Sequence, residues 1–76
     1  MPYEVDLAVR VEDVLDDLSS EGRQEVMETI AAVLVRPESW PAPGGWEGAL
    51  AFGPRSWVAF TAYLGGIQVY EVGWAG

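Results

Sequence analysis

The fold turns on residues 56–74, SWVAFTAYLGGIQVYEVGW. Two runs rich in β-branched and aromatic residues flank Gly65-Gly66, and two glycines between strand-like runs point to a two-residue primed hairpin turn. With Gly65 and Gly66 at the corner, Leu64 faces Ile67 and the register follows. One face then sets Leu64 against Ile67, Ala62 against Val69 and Val58 against Gly73. The other sets Tyr63 against Gln68, Thr61 against Tyr70, Ala59 against Val72 and Trp57 against Trp74. The first face is the one expected beneath helices. Glu71 breaks it by falling opposite Phe60, a conflict that a bulge near Glu71 would relieve.

Working outward, ALAF (49–52) is a short strand stopped by Gly53-Pro54, and PESWPAPGGWEG (37–48) is an aperiodic loop. Before it lie two helices. Val11, Val14, Leu15 and Leu18 recur at helical spacing, with Glu12, Asp13, Asp16 and Asp17 opposite them. Ser19 or Ser20 then caps a second helix whose stripe is Val26, Met27, Ile30, Val33 and Leu34. It runs to about Val35, because Pro37 disfavours helical geometry at Arg36. The pair forms an αα-hairpin. YEVDLAV (3–9) alternates Tyr3, Val5, Leu7 and Val9 against Glu4, Asp6 and Ala8, the pattern of a half-buried strand. The expected fold is α+β: β-α-α-β-β-β, an antiparallel sheet packed on a helical hairpin, in one domain spanning 1–76.

Composition narrows the function. The 76 residues are 50% hydrophobic, too apolar for a disordered chain despite a net charge of −8. Residues 1–38 carry ten acidic side chains and three arginines (−7), residues 39–76 only Glu47, Glu71 and Arg55 (−1), and lysine is absent. Affinity for nucleic acid rests on cations that neutralise phosphates, so direct binding to it is not expected. The longest apolar run, Ile30 to Val35, falls short of the ~20 residues of a membrane span, and Asp6 and Arg10 interrupt any secretory start. Without cysteine there is neither a disulfide nor a thiolate site, and the expected compartment is the cytoplasm.

The order of elements and their side chains resembles the RelE/ParE toxin superfamily. AVRVEDVLDDL (8–18) is similar to the stretch where a strand ends in a Ser-Pro-Arg-Ala-like turn and leads to a helix closing in Leu-x-x-Leu. WVAFTAYLGGIQVYEVGWA (57–75) is similar to the toxin hairpin, in which a Tyr-Arg-Val-like strand returns as one closing in Val-Gly-His-Arg. The resemblance covers nearly the whole chain, with 38–52 poorly matched.

In the ribonuclease members, that arginine and the His-Arg pair supply much of the messenger-RNA cleavage chemistry. Carried over by position, the arginine falls near Trp57, with Arg55 two residues earlier, and the His-Arg pair falls on Trp74 and Ala75. There is no histidine in the chain. Cleavage needs a base for the 2′-hydroxyl and cations for the developing phosphorane charge, so Arg55 alone is a remnant of a site rather than a site. No cofactor is expected. The carboxylates of the first helix lack a histidine or loop ligand and read as a solvated face, not a metal site. The serines lack an activating His or Lys, and PGGWEG lacks the Lys and Ser/Thr of a phosphate loop.

Trp57, Tyr70 and Trp74 are the binding candidates. As core they would fill a small domain; on the sheet face away from the helices they form an apolar patch for a partner or a second copy. The resemblance thus implies a toxin-like protein of a toxin–antitoxin system that binds protein, as the ParE branch binds DNA gyrase, with an antitoxin-like or target protein as partner. The alternative is a non-toxic regulatory module on the same scaffold, dimeric or acting as an acidic mimic of nucleic acid.

Overall fold

The computed structural model describes residues 3–44 and 48–76. The elements are β1 (Glu4–Leu7), α1 (Val9–Asp17), α2 (Ser20–Leu34), a 3-10 turn at Pro37–Ser39, β2 (Ala49–Phe52), β3 (Ser56–Tyr63) and β4 (Gly66–Trp74). The class is α+β. Both helices lie against one face of a four-stranded sheet of order β1-β4-β3-β2. Of the loop at 37–48, residues 45–47 lie outside the described residues.

The sheet is mixed, which corrects the antiparallel expectation. β1 runs parallel to β4, with Val5 opposite Ile67 and Leu7 opposite Val69. Backbone bonds of 2.9 Å from the Glu4 amide to the Gly65 carbonyl and from the Ala8 amide to the Val69 carbonyl pin its ends. A parallel partner needs a long crossover, which the helices and the β2–β3 hairpin supply. Val5 and Leu7 thereby join the core-facing side of β4. Val9 belongs to α1 and is 73% exposed, because the strand stops at Leu7.

The helices form where periodicity places them. Val11 and Leu15 of α1 are buried, with Val14 and Leu18 packed at their margin. Ser19 caps α2, its Oγ accepting from the Gly22 amide at 3.2 Å. Val26, Ile30 and Val33 enter the core, but Met27 is 45% exposed. Thr29 occupies the buried position instead, its hydroxyl 2.8 Å from that of Ser56 on β3, so each polar group satisfies the other. Beyond α2, the Trp40 indole N–H donates to the Val33 carbonyl at 2.8 Å, and its ring meets Tyr3 edge-on at 4.9 Å.

The hairpin differs from its predicted register. Tyr63 pairs with Gly66, and Leu64 and Gly65 form the corner. Gly65 alone is left-handed there (φ 99°), as in a type II turn, so only one of the two glycines meets a conformational demand. Ala62 therefore opposes Ile67, and Phe60 opposes Val69. The next pair is Ala59 with Glu71, so Tyr70 and Glu71 together oppose one residue. This bulge relieves the conflict that Glu71 poses in a regular hairpin. Val72 and Trp74 now face the helices in place of Gly73, and Glu71 points out to solvent.

Replacing Gly65 with alanine should cost about 1 kcal/mol in urea unfolding, since a Cβ opposes the left-handed corner. Alanine at Leu64, which is 88% exposed, should change stability by less than about 0.5 kcal/mol. Equal effects at the two positions would mean that the corner lies elsewhere.

Candidate functional site

The turn joining β2 to β3 brings Arg55 to α2. Its guanidinium donates to Glu21 at 2.8 Å and stands 5.4 Å from the Trp74 ring centroid. The Arg55 backbone amide donates to Glu25 Oε2 at 2.7 Å, the Trp74 indole N–H to Glu25 Oε1 at 3.2 Å, and the Ala75 amide to the Arg55 carbonyl at 2.7 Å. One carboxylate thus holds the turn and the end of β4 to the second helix. The Arg55 amide holds the Glu25 carboxyl below its ordinary value; partial burial opposes this, and the indole and the Arg55 charge assist it.

This cluster corrects two expectations. Trp74 does not lie on the sheet face away from the helices. The bulge turns it under α2, where its ring covers Gly22 so closely that a side chain there would collide with it. Nor is it opposite Trp57: Trp74 pairs with Ser56, and Trp57 with Gly73. Arg55, the candidate catalytic remnant, is engaged by Glu21 and Trp74 and acts as a tie between turn and helix.

Trp57 and Tyr70 do share the open face. The Trp57 ring lies across Gly73, and the Tyr70 hydroxyl crosses β3 to reach Gly48. Tyr70 is 37% exposed and Trp57 half-buried. The structure adds Leu50 and Phe52, which are 61% and 73% exposed and stand beside Ala59 and Trp57 on the neighbouring strand. They were missed as site residues because a four-residue strand has no visible facing until its partner is known. The available signal was ALAF itself, with small alanines at the inward positions and large side chains outward.

The ridge formed by Leu50, Phe52, Trp57 and Tyr70 has an acidic margin. Glu4 and Asp6 of β1 are exposed on the same face, and Glu71 is exposed beside Tyr70, 3.8 Å from Arg10. Tyr63 lies over Gly66, and burial together with the nearby Asp6 and Glu4 charges raises its phenol above the usual value.

At the edge of the sheet, α2, the 3-10 turn and β2 border a cleft of about 250 Å³ lined by Thr29, Ala32, Val33, Arg36, Ser39, Ala51 and Phe52. Among the described residues no three His, Cys, Asp or Glu side chains converge as metal ligands. No described helix is long and apolar enough to cross a membrane. Comparison with protein-family models, with curated proteins and with solved structures gives no match.

Two measurements check this arrangement. Trp74→Ala should destabilise the fold by about 2–3 kcal/mol, through lost packing on Gly22 and loss of the Glu25 bond. Tyr70→Ala should cost about 1 kcal/mol or less, because that side chain faces outward. Since the folded-state pKa of Glu25 is depressed, its contribution is complete above the unfolded carboxylate pKa and declines as pH falls through the folded value. Glu25→Gln should therefore lower stability at neutral pH and flatten the acid limb of a stability–pH profile. An unchanged acid limb would remove Glu25 from its linking role.

Proposed function

We propose that this chain is a RelE/ParE-like toxin-fold protein of a toxin–antitoxin type system that acts by binding a protein rather than by cleaving RNA. The observation that carries the reading is the exposed apolar ridge of Leu50, Phe52, Trp57 and Tyr70 on the sheet face left open by the helices. A contiguous apolar surface on so small a domain fits a partner contact, with Trp and Tyr as its anchors. Glu4 and Asp6 at its margin, within a chain of net charge −8, favour as occupant an amphipathic segment of a partner protein whose apolar face is flanked by Lys or Arg. The engagement of Arg55 with Glu21 and Trp74 supports the absence of cleavage chemistry.

Expression of the chain alone in a bacterium, with growth and total RNA followed together, tests this. The expected result is arrested growth with intact RNA, relieved by Tyr70→Lys or Leu50→Lys but not by Asp16→Ala. Undisturbed growth would overturn the toxin reading. Messenger-RNA fragments that vanish in Arg55→Ala would overturn the assignment to protein binding.

A further inference from the structure

β2 is an edge strand, and among the described residues no strand pairs with its outer rim. The Gly53 amide donates to the Ser56 carbonyl at 2.9 Å, and bonded pairs alternate along an antiparallel ladder. Ala49 and Ala51 therefore bond to β3, while Leu50 and Phe52 direct their N–H and C=O groups away from the sheet. Among the described residues these outward groups have no backbone or side-chain partner. The rim carries no charge, proline or bulge, the devices by which edge strands commonly avoid pairing.

We propose that a second copy of this chain pairs along the rim, β2 against β2 and antiparallel, about a two-fold axis through Ala51. Two four-stranded sheets become one, with the helices of both copies on the same side. The strand is complementary to itself in this register. Leu50 of each copy exchanges backbone bonds with Phe52 of the other, and these side chains, 61% and 73% exposed in the single chain, cover one another on the open face. On the helix side, Ala51 meets Ala51, small enough for the two α2 helices to approach.

Charge also selects a second copy. Glu28 and Ala32 lie one turn apart on α2, Arg36 follows two residues beyond its last residue, and all three are exposed. Ala32 and Arg36 line the same cleft as Ala51, so an axis through Ala51 passes beside Ala32 and sets Glu28 of each copy across from Arg36 of the other. The Arg36 guanidinium has no ion-pair partner among the described residues, and Glu28 accepts only a 3.5 Å bond from Gln24. Elsewhere two copies repel: Glu12, Asp13, Asp16 and Asp17 make the exposed side of α1 strongly negative. The pairing goes beyond the partner-binding reading and does not rest on it. It leaves Trp57 and Tyr70 open and sets two apolar ridges side by side.

Sedimentation equilibrium of the full chain, from micromolar to near-millimolar concentration, tests the pairing. The expected result is a monomer–dimer equilibrium. Phe52→Lys should abolish it, and Glu28→Arg or Arg36→Glu alone should weaken it roughly tenfold. The double reversal should restore the original affinity, because the opposite charges again meet across the axis. Hydrogen exchange at the Leu50 and Phe52 amides should slow only where the dimer is populated. A chain that stays monomeric overturns the proposal. So does a dimer that ignores both charge reversals, or one weakened by Tyr70→Lys but by neither reversal, which would associate through the open face instead.

Discussion

A carboxylate at position 71 cannot be buried under two helices without a charge partner, and the bulge between Val69 and Glu71 is how the sheet avoids that cost. A regular strand alternates strictly, so in a hairpin with Ile67 and Val69 inward, Glu71 would also point inward. Setting Tyr70 and Glu71 against Ala59 alone inserts the missing half-period. Ile67, Val69, Val72 and Trp74 then all face α1 and α2, and Val11, Val26, Val58, Ile67 and Val69 are fully buried. Each such side chain contributes about 1.5–3 kcal/mol of transfer free energy. The core exists in this form because one residue is left over.

The same bulge creates the cluster at the end of the sheet. Turned inward, Trp74 reaches Glu25, and Glu25 also takes the Arg55 amide from the β2–β3 turn. The Arg55–Glu21 pair is exposed and contributes little alone, about 0–1 kcal/mol. The constraint resides in the carboxylate that accepts from two separate elements and so fixes where the turn and β4 end relative to α2. Arg55 thereby has a structural task, its amide and carbonyl joining the turn to Glu25 and to the end of β4.

The chain separates its surfaces by charge. The outer sides of α1 and α2 carry most of the carboxylates, while β2, β3 and the end of β4 carry almost none. Repulsion between like surfaces leaves the sheet, its open face and its edge, as the regions where another chain can approach. The open face suits an apolar partner with a basic flank, and the edge suits an uncharged strand. Both follow from having helices on only one side of the sheet, which leaves Leu50 and Phe52 uncovered.

Much of this was legible in the residues alone. Period-2 and period-3.6 patterns located strands and helices to within a residue or two, because alternation is a direct consequence of one-sided burial. A cap at Ser19 or Ser20 was readable, and Glu71 stood out as a misfit that a bulge would relieve, though only the structure shows the bulge. Other features depended on contacts between distant segments. The parallel placement of β1 and the burial of Thr29 against Ser56 arise from which surfaces meet, not from any local preference. The hairpin corner shifted by one residue because one left-handed glycine suffices, and with the bulge that shift separated Trp57 from Trp74. By itself, then, the sequence determined the elements, the acidic surface and the aromatic supply. The tertiary structure alone decided which tryptophan is core and which is surface, because a side chain's face depends on every hydrogen-bonded pair between it and the turn.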